Sequence, residues 1–379
     1  MNTQYSNNQK NIQKVLETRV VFHIDFDYFY AQCEEVRSPE LKSKPVCVCV
    51  YSDRGGDSGA IATANYTARK YGVKSGIPIA FAKKRLEERK DAVFLPVDFD
   101  YYFEMSEKAM EIMNESADIF EYVGKDEAYL DVTKRVKGDF EKASHLAQQI
   151  KNSIRDKVKL GCSIGISPNK LISKIASDFQ KPDGLTIVSP DKIEVFLEPL
   201  EIRAIPGIGE KTEARFTEMN LKTIQDLKKL DVFTLNKEFG RKSGTYIYNA
   251  VRGIDTNPVK ERAARIQYSK ITTLKKDSKD YQFLSENIIE LCKEVHSVVV
   301  KNNQMFKSIG IHFVQSDLTN KSKSRMLRSP TASLEELQKN AIQLLKESLE
   351  TQTNTIRRLG VKVAELSEVQ GQSDITSYF

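Results

Sequence analysis

Asp25 and Asp27 interrupt Val20-Val21-Phe22-His23-Ile24-Asp25-Phe26-Asp27, a stretch that otherwise reads as a buried strand. Phe22, Ile24 and Phe26 alternate with His23, Asp25 and Asp27, so a period-two strand buries one face and gathers the charge on the other. A row of acids on a core strand needs a cation. Further along, Asp126-Glu127 opens a second strand-like run, Ala128-Tyr129-Leu130-Asp131-Val132, and offers partner carboxylates. Oxygen ligands from two neighbouring strands suit hard divalent ions, Mg²⁺ above all when a phosphate substrate completes the octahedron. That chemistry is phosphoryl transfer. A lone D-x-D more often just flanks a surface strand, so the residues around it decide.

Between the acidic strands lies Asp57-Ser58-Gly59-Ala60-Ile61-Ala62-Thr63-Ala64-Asn65-Tyr66-Thr67-Ala68-Arg69-Lys70. Gly59, Ala60 and Ala62 leave room for something flat, while Thr63, Tyr66 and Arg69, at spacings of three, fall on one helical face and can bond phosphate oxygens. A small-residue roof beside such a face suits a nucleotide. After the second acidic strand, Gly165-Ile166-Ser167-Pro168-Asn169-Lys170-Leu171-Ile172-Ser173-Lys174-Ile175-Ala176-Ser177 is a turn feeding a helix. Lys170 and Lys174 share its face, so one can reach a triphosphate while the other meets backbone phosphate.

The elements that must hold these groups belong to a chain of 379 residues, long enough for two to four domains. No run of about 18 apolar residues occurs, so no membrane span is expected. The first 18 residues are polar and rich in Asn and Gln, which marks a disordered leader rather than a secretory signal. Cys33, Cys47, Cys49, Cys162 and Cys292 form no CxxC pair and read as reduced core thiols of a cytoplasmic or nuclear protein, cytoplasmic being the expectation. The four histidines are scattered without zinc-ligand spacing, which argues against zinc chemistry. Between residues 260 and 366, 19 Lys and Arg stand against 12 Asp and Glu, so the basic excess lies in the C-terminal part.

Residues 19–183 mix short strands with helical stretches, as an α/β or α+β domain does, and 29–95 read as an insertion ending at Leu95-Pro96. After the turn cluster Lys181-Pro182-Asp183-Gly184 the pattern becomes helical from Ile193 to Arg252. A polar linker near residues 255–261 follows. Beyond it, strand-like runs (Ile271 to Leu274, Ser308 to Val314, Gly360 to Leu366) alternate with helical ones (Phe283 to Asn302, Leu334 to Thr351) in a β-α-β-β-α-β spacing.

Together these residues resemble the Y-family DNA polymerases, most closely the DinB branch in an archaeal-like form. The resemblance covers nearly everything from Arg19 to Leu366. It rests on His23 to Tyr30 with Ala31-Gln32-Cys33-Glu34, Ala62 to Gly76, Asp126 to Asp131, Gly165 to Ser177, and Ile205-Pro206-Gly207-Ile208-Gly209. It implies an α+β multidomain, right-hand polymerase: palm with a mixed sheet (19–28 and 96–183), small fingers (29–95), helical thumb with a helix-hairpin-helix (184–254), linker (255–261) and a β-α-β-β-α-β little finger (262–366). Residues 1–18 and 367–379 flank these.

Carried over residue by residue, the resemblance makes Asp25, Asp126 and Glu127 the catalytic, metal-binding carboxylates, with the main-chain carbonyl of Phe26 a further ligand. Two Mg²⁺ ions are implied, Mn²⁺ being able to substitute. Tyr28, Phe29 and Tyr30 would border the incoming nucleotide, with Tyr30 at the steric-gate position that excludes a ribose 2′-hydroxyl. Thr63, Tyr66, Arg69 and Lys174 would hold its phosphates. Asp27 belongs to a local hydrogen-bond network, and His23 is a satisfied neighbour of the acids. The glycines Gly207 and Gly209, followed by Lys211, would let backbone N–H groups approach a DNA phosphate. Arg357 and Arg358, with Lys321, Lys323, Arg325 and Arg328, would add a sequence-independent, salt-sensitive grip on the duplex.

The chain departs from the family where Gly124-Lys125 replace the usual Ser-Ile before the acid pair. The lysine either snorkels outward or pairs with a carboxylate and lowers metal occupancy. The end, Gln372-Ser373-Asp374-Ile375-Thr376-Ser377-Tyr378-Phe379, fits Q-x-x-I-x-x-Y-F, the form of peptide that docks on PCNA-type sliding clamps. Gln372 would anchor while Ile375, Tyr378 and Phe379 fill an apolar pocket. The expectation is a monomeric DNA-directed DNA polymerase using primer-template DNA and dNTPs, with low-fidelity translesion synthesis and no proofreading domain. The competing reading is a clamp-tethered DNA-binding protein whose catalytic site Lys125 impairs. A cyclase-like palm is disfavoured by the thumb, the basic domain and the clamp peptide.

Overall fold

A computed structural model of the chain describes residues 19–261, 264–350 and 354–368. The expected leader and the expected clamp peptide with Gln372, Ile375, Tyr378 and Phe379 lie outside the described residues. The strands are β1 (Val21–Phe26), β2 (Val46–Tyr51), β3 (Gly59–Ala64), β4 (Val93–Pro96), β5 (Ile119–Tyr122), β6 (Glu127–Asp131), β7 (Cys162–Ser167), β8 (Leu185–Ile187), β9 (Gln267–Ser278), β10 (Gln304–Gln315), β11 (Asn320–Thr331) and β12 (Ile356–Glu368). They form three sheets, and the chain divides into two compact units.

The first unit is built on a five-stranded sheet of order β5-β6-β1-β7-β8. β1 lies in its middle, antiparallel to both β6 and β7, and this register sets Asp25 opposite Glu127 on one side and Ser163 on the other. Phe22, Ile24 and Phe26 face a core shared with Met105, Met113, Ile150 and Ile154 from the helices Phe99–Glu115 and Phe140–Val158. The other face is not left to water. The helix Lys170–Phe179, capped by Asn169 whose side chain accepts from the Ile172 N–H, lies along it. His23 is therefore fully buried and Asp27 nearly so, so the polar face of β1 is covered as well as its apolar one. Polar spacing along a strand reveals alternation, and it says nothing about what packs on each side.

The opposite side of that helix, through Leu171, Ile172 and Ile175, packs into a second core with Ile205, Phe216, Leu235 and Ile247. The helices there are Ile193–Leu197, Glu210–Glu218, Ile224–Lys228, Val232–Phe239 and Arg241–Ala250. β8 joins the central sheet parallel to β7, so that sheet continues past residue 183, where the sequence suggested a boundary. The expected linker is pinned along its length. Asp255 accepts from the Leu171 N–H (3.1 Å), Arg19 donates to the Asn257 carbonyl (3.1 Å), Val259 is buried with Val21 and Tyr129, and the Lys260 N–H donates to Glu121 (3.0 Å).

In the smaller three-stranded sheet, of order β3-β2-β4, Asn65 follows β3 and begins the short helix Tyr66–Arg69. Its side chain accepts from the Ala68 and Val46 N–H groups and donates to Glu35 and the Lys44 carbonyl. Thr63 is thus a strand residue. The expected continuous helical face with Tyr66 and Arg69 is broken by this cap.

The second unit gathers Val50–Ala60, Pro78–Ala80 and the C-terminal residues. Its sheet has the order β11-β10-β12-β9, all neighbours antiparallel, with the helices Tyr281–Lys301 and Leu334–Leu349 packed on one face over Leu284, Ile309, Phe313, Leu344 and Val361. This is the expected β-α-β-β-α-β arrangement, including a strand, β11, that polarity hid in the sequence. Within the unit Arg54 donates to the Leu274 carbonyl (2.9 Å) and pairs with Asp277. All five cysteines are free and buried. Among the described residues no helix is long and apolar enough to cross a membrane.

Candidate active site

β1 and β6 deliver Asp25 and Glu127 side by side because those residues are direct partners in the ladder. Ligand atoms of His23, Asp25 and Glu127 lie within 4.8 Å of one another. Asp126 precedes β6, its carbonyl accepting from the Phe26 N–H at 2.9 Å, and its carboxylate is not drawn into that group.

The helix Lys170–Phe179 and the turn after it bring positive charge to the acids. Lys174 Nζ lies 2.5 Å from Glu127 Oε2, and Lys181 Nζ lies 2.6 Å from Asp25 Oδ1 and 2.7 Å from Asp178 Oδ1. Lys170 is spent elsewhere, on Glu121 at 2.6 Å and over the Tyr129 ring. Lys181 is the residue that sequence reasoning missed. The available signal was its place just ahead of Pro182-Asp183-Gly184, a turn whose Asp183 N–H is fixed by Asp27 (2.9 Å).

His23 sits beneath the acids. Its Nε2 is 3.2 Å from Glu127 Oε2 and its Nδ1 2.7 Å from Ser177 Oγ. Burial pulls its pKa down, so the ring is neutral, and a proton assigned to Nε2 lets it donate to Glu127, while Nδ1 lies against the Ser177 hydroxyl, which also reaches the Lys174 carbonyl (2.8 Å). The His23 hydrogen bond and then Lys174 hold the Glu127 carboxyl down at about 2. Burial pushes Asp25 upward, against the pull of Lys181. Burial and the neighbouring Glu127 also raise Asp126. Asp27 takes no part in the cluster, accepting instead from Ser163 Oγ (2.5 Å) and the Asp183 N–H.

With the His23 nitrogens occupied, the open donors are carboxylate oxygens, the set that suits a hard divalent ion rather than zinc. The residues present therefore fit a magnesium-type cation. The two ammonium groups now balance the same charge.

Among the residues expected to border a nucleotide, Tyr30 stacks on Tyr102 (centroids 4.6 Å, 15°). Tyr28 donates to Glu35 Oε2 (3.0 Å) and meets Tyr66 edge to face at 5.4 Å. Arg69 lies over the Tyr66 ring and donates to the Ala64 carbonyl (2.8 Å). The Phe29 ring is buried in the core against Phe26, so a contact of this residue with a substrate would fall to its main chain. The Lys125 ammonium lies over Phe99 and Phe103 and is not paired with the acids. Of the two readings of this residue, the geometry takes the outward one.

Remote from the acids, Gly207 adopts φ +87°, a left-handed conformation that favours glycine, and Gly209 caps the helix Glu210–Glu218. Tyr246 Oη donates to the Pro206 carbonyl (2.6 Å) and braces this hairpin, while Lys211 is exposed. In the second unit Arg358 is exposed and Arg357 half-buried on β12. Of the basic residues on β11, Lys323 and Arg325 are tied to Glu347 at 2.7 and 2.6 Å.

Three family patterns match the chain: the impB/mucB/samB family over residues 24–178, the DNA polymerase-iota thumb domain over 203–255, and the impB/mucB/samB family C-terminal domain over 265–376. The chain is 82% identical over 364 residues to a DNA polymerase IV of Nitrosopumilus maritimus, covering 96% of the chain and 100% of that protein. It is 40% identical to a DNA polymerase IV of Methanosarcina acetivorans, with 95% and 99% covered. Among solved structures, a chimeric Y-family DNA polymerase superposes with a TM-score of 0.86 at 34% identity, over 92% of this chain and 100% of that one. An insertion ternary complex of the Dbh DNA polymerase matches with a TM-score of 0.67 at 34% identity and the same coverage.

Proposed function

The chain belongs to the DinB-type Y-family DNA polymerases and is a DNA-directed DNA polymerase, and we propose that it performs low-fidelity translesion synthesis without proofreading, joining dNTPs to a primer at the site of Asp25, Asp126 and Glu127. The observation that carries this assignment is the pairing of Asp25 with Glu127 across β1 and β6, each met by a lysine at 2.6 and 2.5 Å. Acids and ammonium groups so interleaved suit a substrate that arrives as a triphosphate together with divalent ions.

The family is divalent-metal dependent, and on this reading Asp25, Asp126, Glu127 and the Phe26 carbonyl hold two Mg²⁺, Mn²⁺ substituting. Such ions, when bound, supply Lewis acidity toward the primer 3′-hydroxyl and neutralise charge on the leaving pyrophosphate. The chain's own groups do the rest. His23 and Lys174 keep Glu127 ionised, so it needs no proton removed before it binds a cation. Lys181 and Lys174 can turn from carboxylate to phosphate oxygen as the nucleotide enters, with Tyr66, Arg69 and Thr63 on the same approach. Tyr30, held against Tyr102, blocks a 2′-hydroxyl. The hairpin Pro206 to Gly209 and the basic C-terminal sheet grip duplex DNA through phosphates, and the peptide Gln372 to Phe379 tethers the chain to a PCNA-type clamp. Lys125 lies over Phe99 and Phe103, so a chain disabled by that lysine finds no support.

Primer extension with Mg²⁺ and dNTPs on damaged and undamaged templates tests the proposal. Asp126→Ala with Glu127→Ala should abolish incorporation while DNA affinity stays within a few-fold, because acids hold ions and other groups hold phosphates. Incorporation retained by the double variant would overturn the site assignment.

A further inference from the structure

Lys125 stands immediately before the acid pair, and its ammonium lies 5.2 Å from the ring centroid of Phe99 and 5.7 Å from that of Phe103. Those rings are four residues apart on the helix Phe99–Glu115 and so lie side by side on one face. Both are nearly half exposed, at 46% and 48%. Phe99 meets Tyr30 edge to face, with centroids 6.1 Å apart at 79°.

The two flanks of Tyr30 are unequally held. Tyr102, stacked on it, is fully buried and donates to Glu34 at 2.7 Å, so that flank is fixed by the core. Phe99, on the other flank, sits in the first turn of its helix with water beside it. An exposed ring in such a place exchanges rotamers on the picosecond to nanosecond scale unless something holds it. Lys125 is placed to do so. Its carbonyl accepts from the buried Ser106 Oγ at 2.6 Å, which fixes its backbone to the same helix and leaves the side chain to reach back over the rings.

We propose that Lys125 is a positioning residue for sugar discrimination, holding Phe99 against Tyr30 through a cation–π contact and thereby fixing the gate ring. This rests on the reading of Tyr30 as the steric gate. Lys125 acts on the gate ring through Phe99. A cation is suited to this place because an exposed aromatic face attracts an ammonium without requiring either to leave water.

The test is single-nucleotide primer extension with the full chain, giving kcat/KM for a dNTP and the matching ribonucleotide in Lys125→Met, Lys125→Arg, Phe99→Leu and Tyr30→Ala. Tyr30→Ala should lose most of the discrimination. Lys125→Met should lower the dNTP to ribonucleotide ratio by about two- to fivefold, the factor an exposed cation–π contact carries. Lys125→Arg should restore the wild-type ratio, and Lys125→Met should add nothing in a Phe99→Leu background. A Lys125→Met ratio equal to wild type, or an equal loss with both nucleotides, would overturn the inference while leaving the gate in place if Tyr30→Ala still loses discrimination. Unchanged discrimination in Tyr30→Ala would overturn the gate reading and the inference with it.

Discussion

Lys181 Nζ bridges Asp25 Oδ1 at 2.6 Å and Asp178 Oδ1 at 2.7 Å, so the central acid of the sheet already has a cation beside it. A divalent ion must compete with that ammonium for the same oxygen. Its side chain is only one-fifth exposed, which keeps water from screening the pair fully.

Removing that competitor should strengthen metal binding. Lys181→Met is expected to raise the affinity of the nucleotide-free protein for Mn²⁺ by about fivefold, the worth of one partly screened ion pair. Calorimetric titration reads it directly. An unchanged dissociation constant would mean that Lys181 leaves Asp25 without cost when the ion arrives.

Gly165 lies where β7 touches the helix Lys170–Phe179. A Cβ there would stand 2.0 Å from the Ser173 carbonyl oxygen and 2.4 Å from the Ser177 N–H nitrogen, and neither is a flexible side-chain end. Gly165→Ala should therefore cost about 2–3 kcal/mol of stability by pushing the helix off the strand. Urea unfolding followed by circular dichroism measures this. A loss under about 0.5 kcal/mol, the range of an indifferent surface change, would show that the helix can slide to make room.

The same contact marks what the sequence could and could not disclose. Asp25 and Glu127 were legible through the company they keep, since a lone D-x-D more often flanks a surface strand and only the further blocks, Ala62 to Gly76, Gly165 to Ser177 and the glycines of Pro206 to Gly209, tip the reading. The burial of His23 was not legible, since nothing in β1 states that the helix Lys170–Phe179 covers its polar face. Thr63, Tyr66 and Arg69 looked helical by spacing, yet Asn65 between them spends its side chain capping one element and fastening β2. The burial of the Phe29 ring was not legible either, because a core aromatic and a ligand-facing one are written with the same letter. Lys181 escaped because ion pairing across the sheet leaves no periodic trace.

His312 offers a pH dependence outside the acid cluster. It lies on β10 between Gly360 and Ser322, and burial, then Lys362 and Arg358, lower its pKa below 6.5. As pH falls through 6.5 the unfolded chain binds a proton that the folded chain refuses, so stability declines until the folded-state pKa is reached. His312→Gln should flatten the fall in Tm over that window, and the wild-type ring should titrate by NMR with a midpoint below 6.5. A midpoint at or above that value would overturn the prediction.

The C-terminal peptide should govern processivity and leave chemistry alone. Tethering to a clamp makes rebinding intramolecular and can raise apparent affinity by roughly 10²–10⁴ without a new contact at the acids. Tyr378→Ala with Phe379→Ala should keep single-nucleotide incorporation and lose stimulation by a loaded PCNA-type clamp. Equal stimulation of variant and wild type would move the tether elsewhere.

The central position of β1 also constrains how the protein is made. Its ladder partners are β6, ending at Asp131, and β7, ending at Ser167, with β8 closing the edge at Ile187. A ribosome adding about 5–20 residues each second exposes β1 for roughly 5–20 seconds before either partner emerges. During that interval an apolar strand with two bare edges waits in the nascent chain, the species most open to pairing with the wrong partner. Slowing translation just before Asp126 should therefore lower the yield of native enzyme, whereas the same delay placed after Ile187 should not.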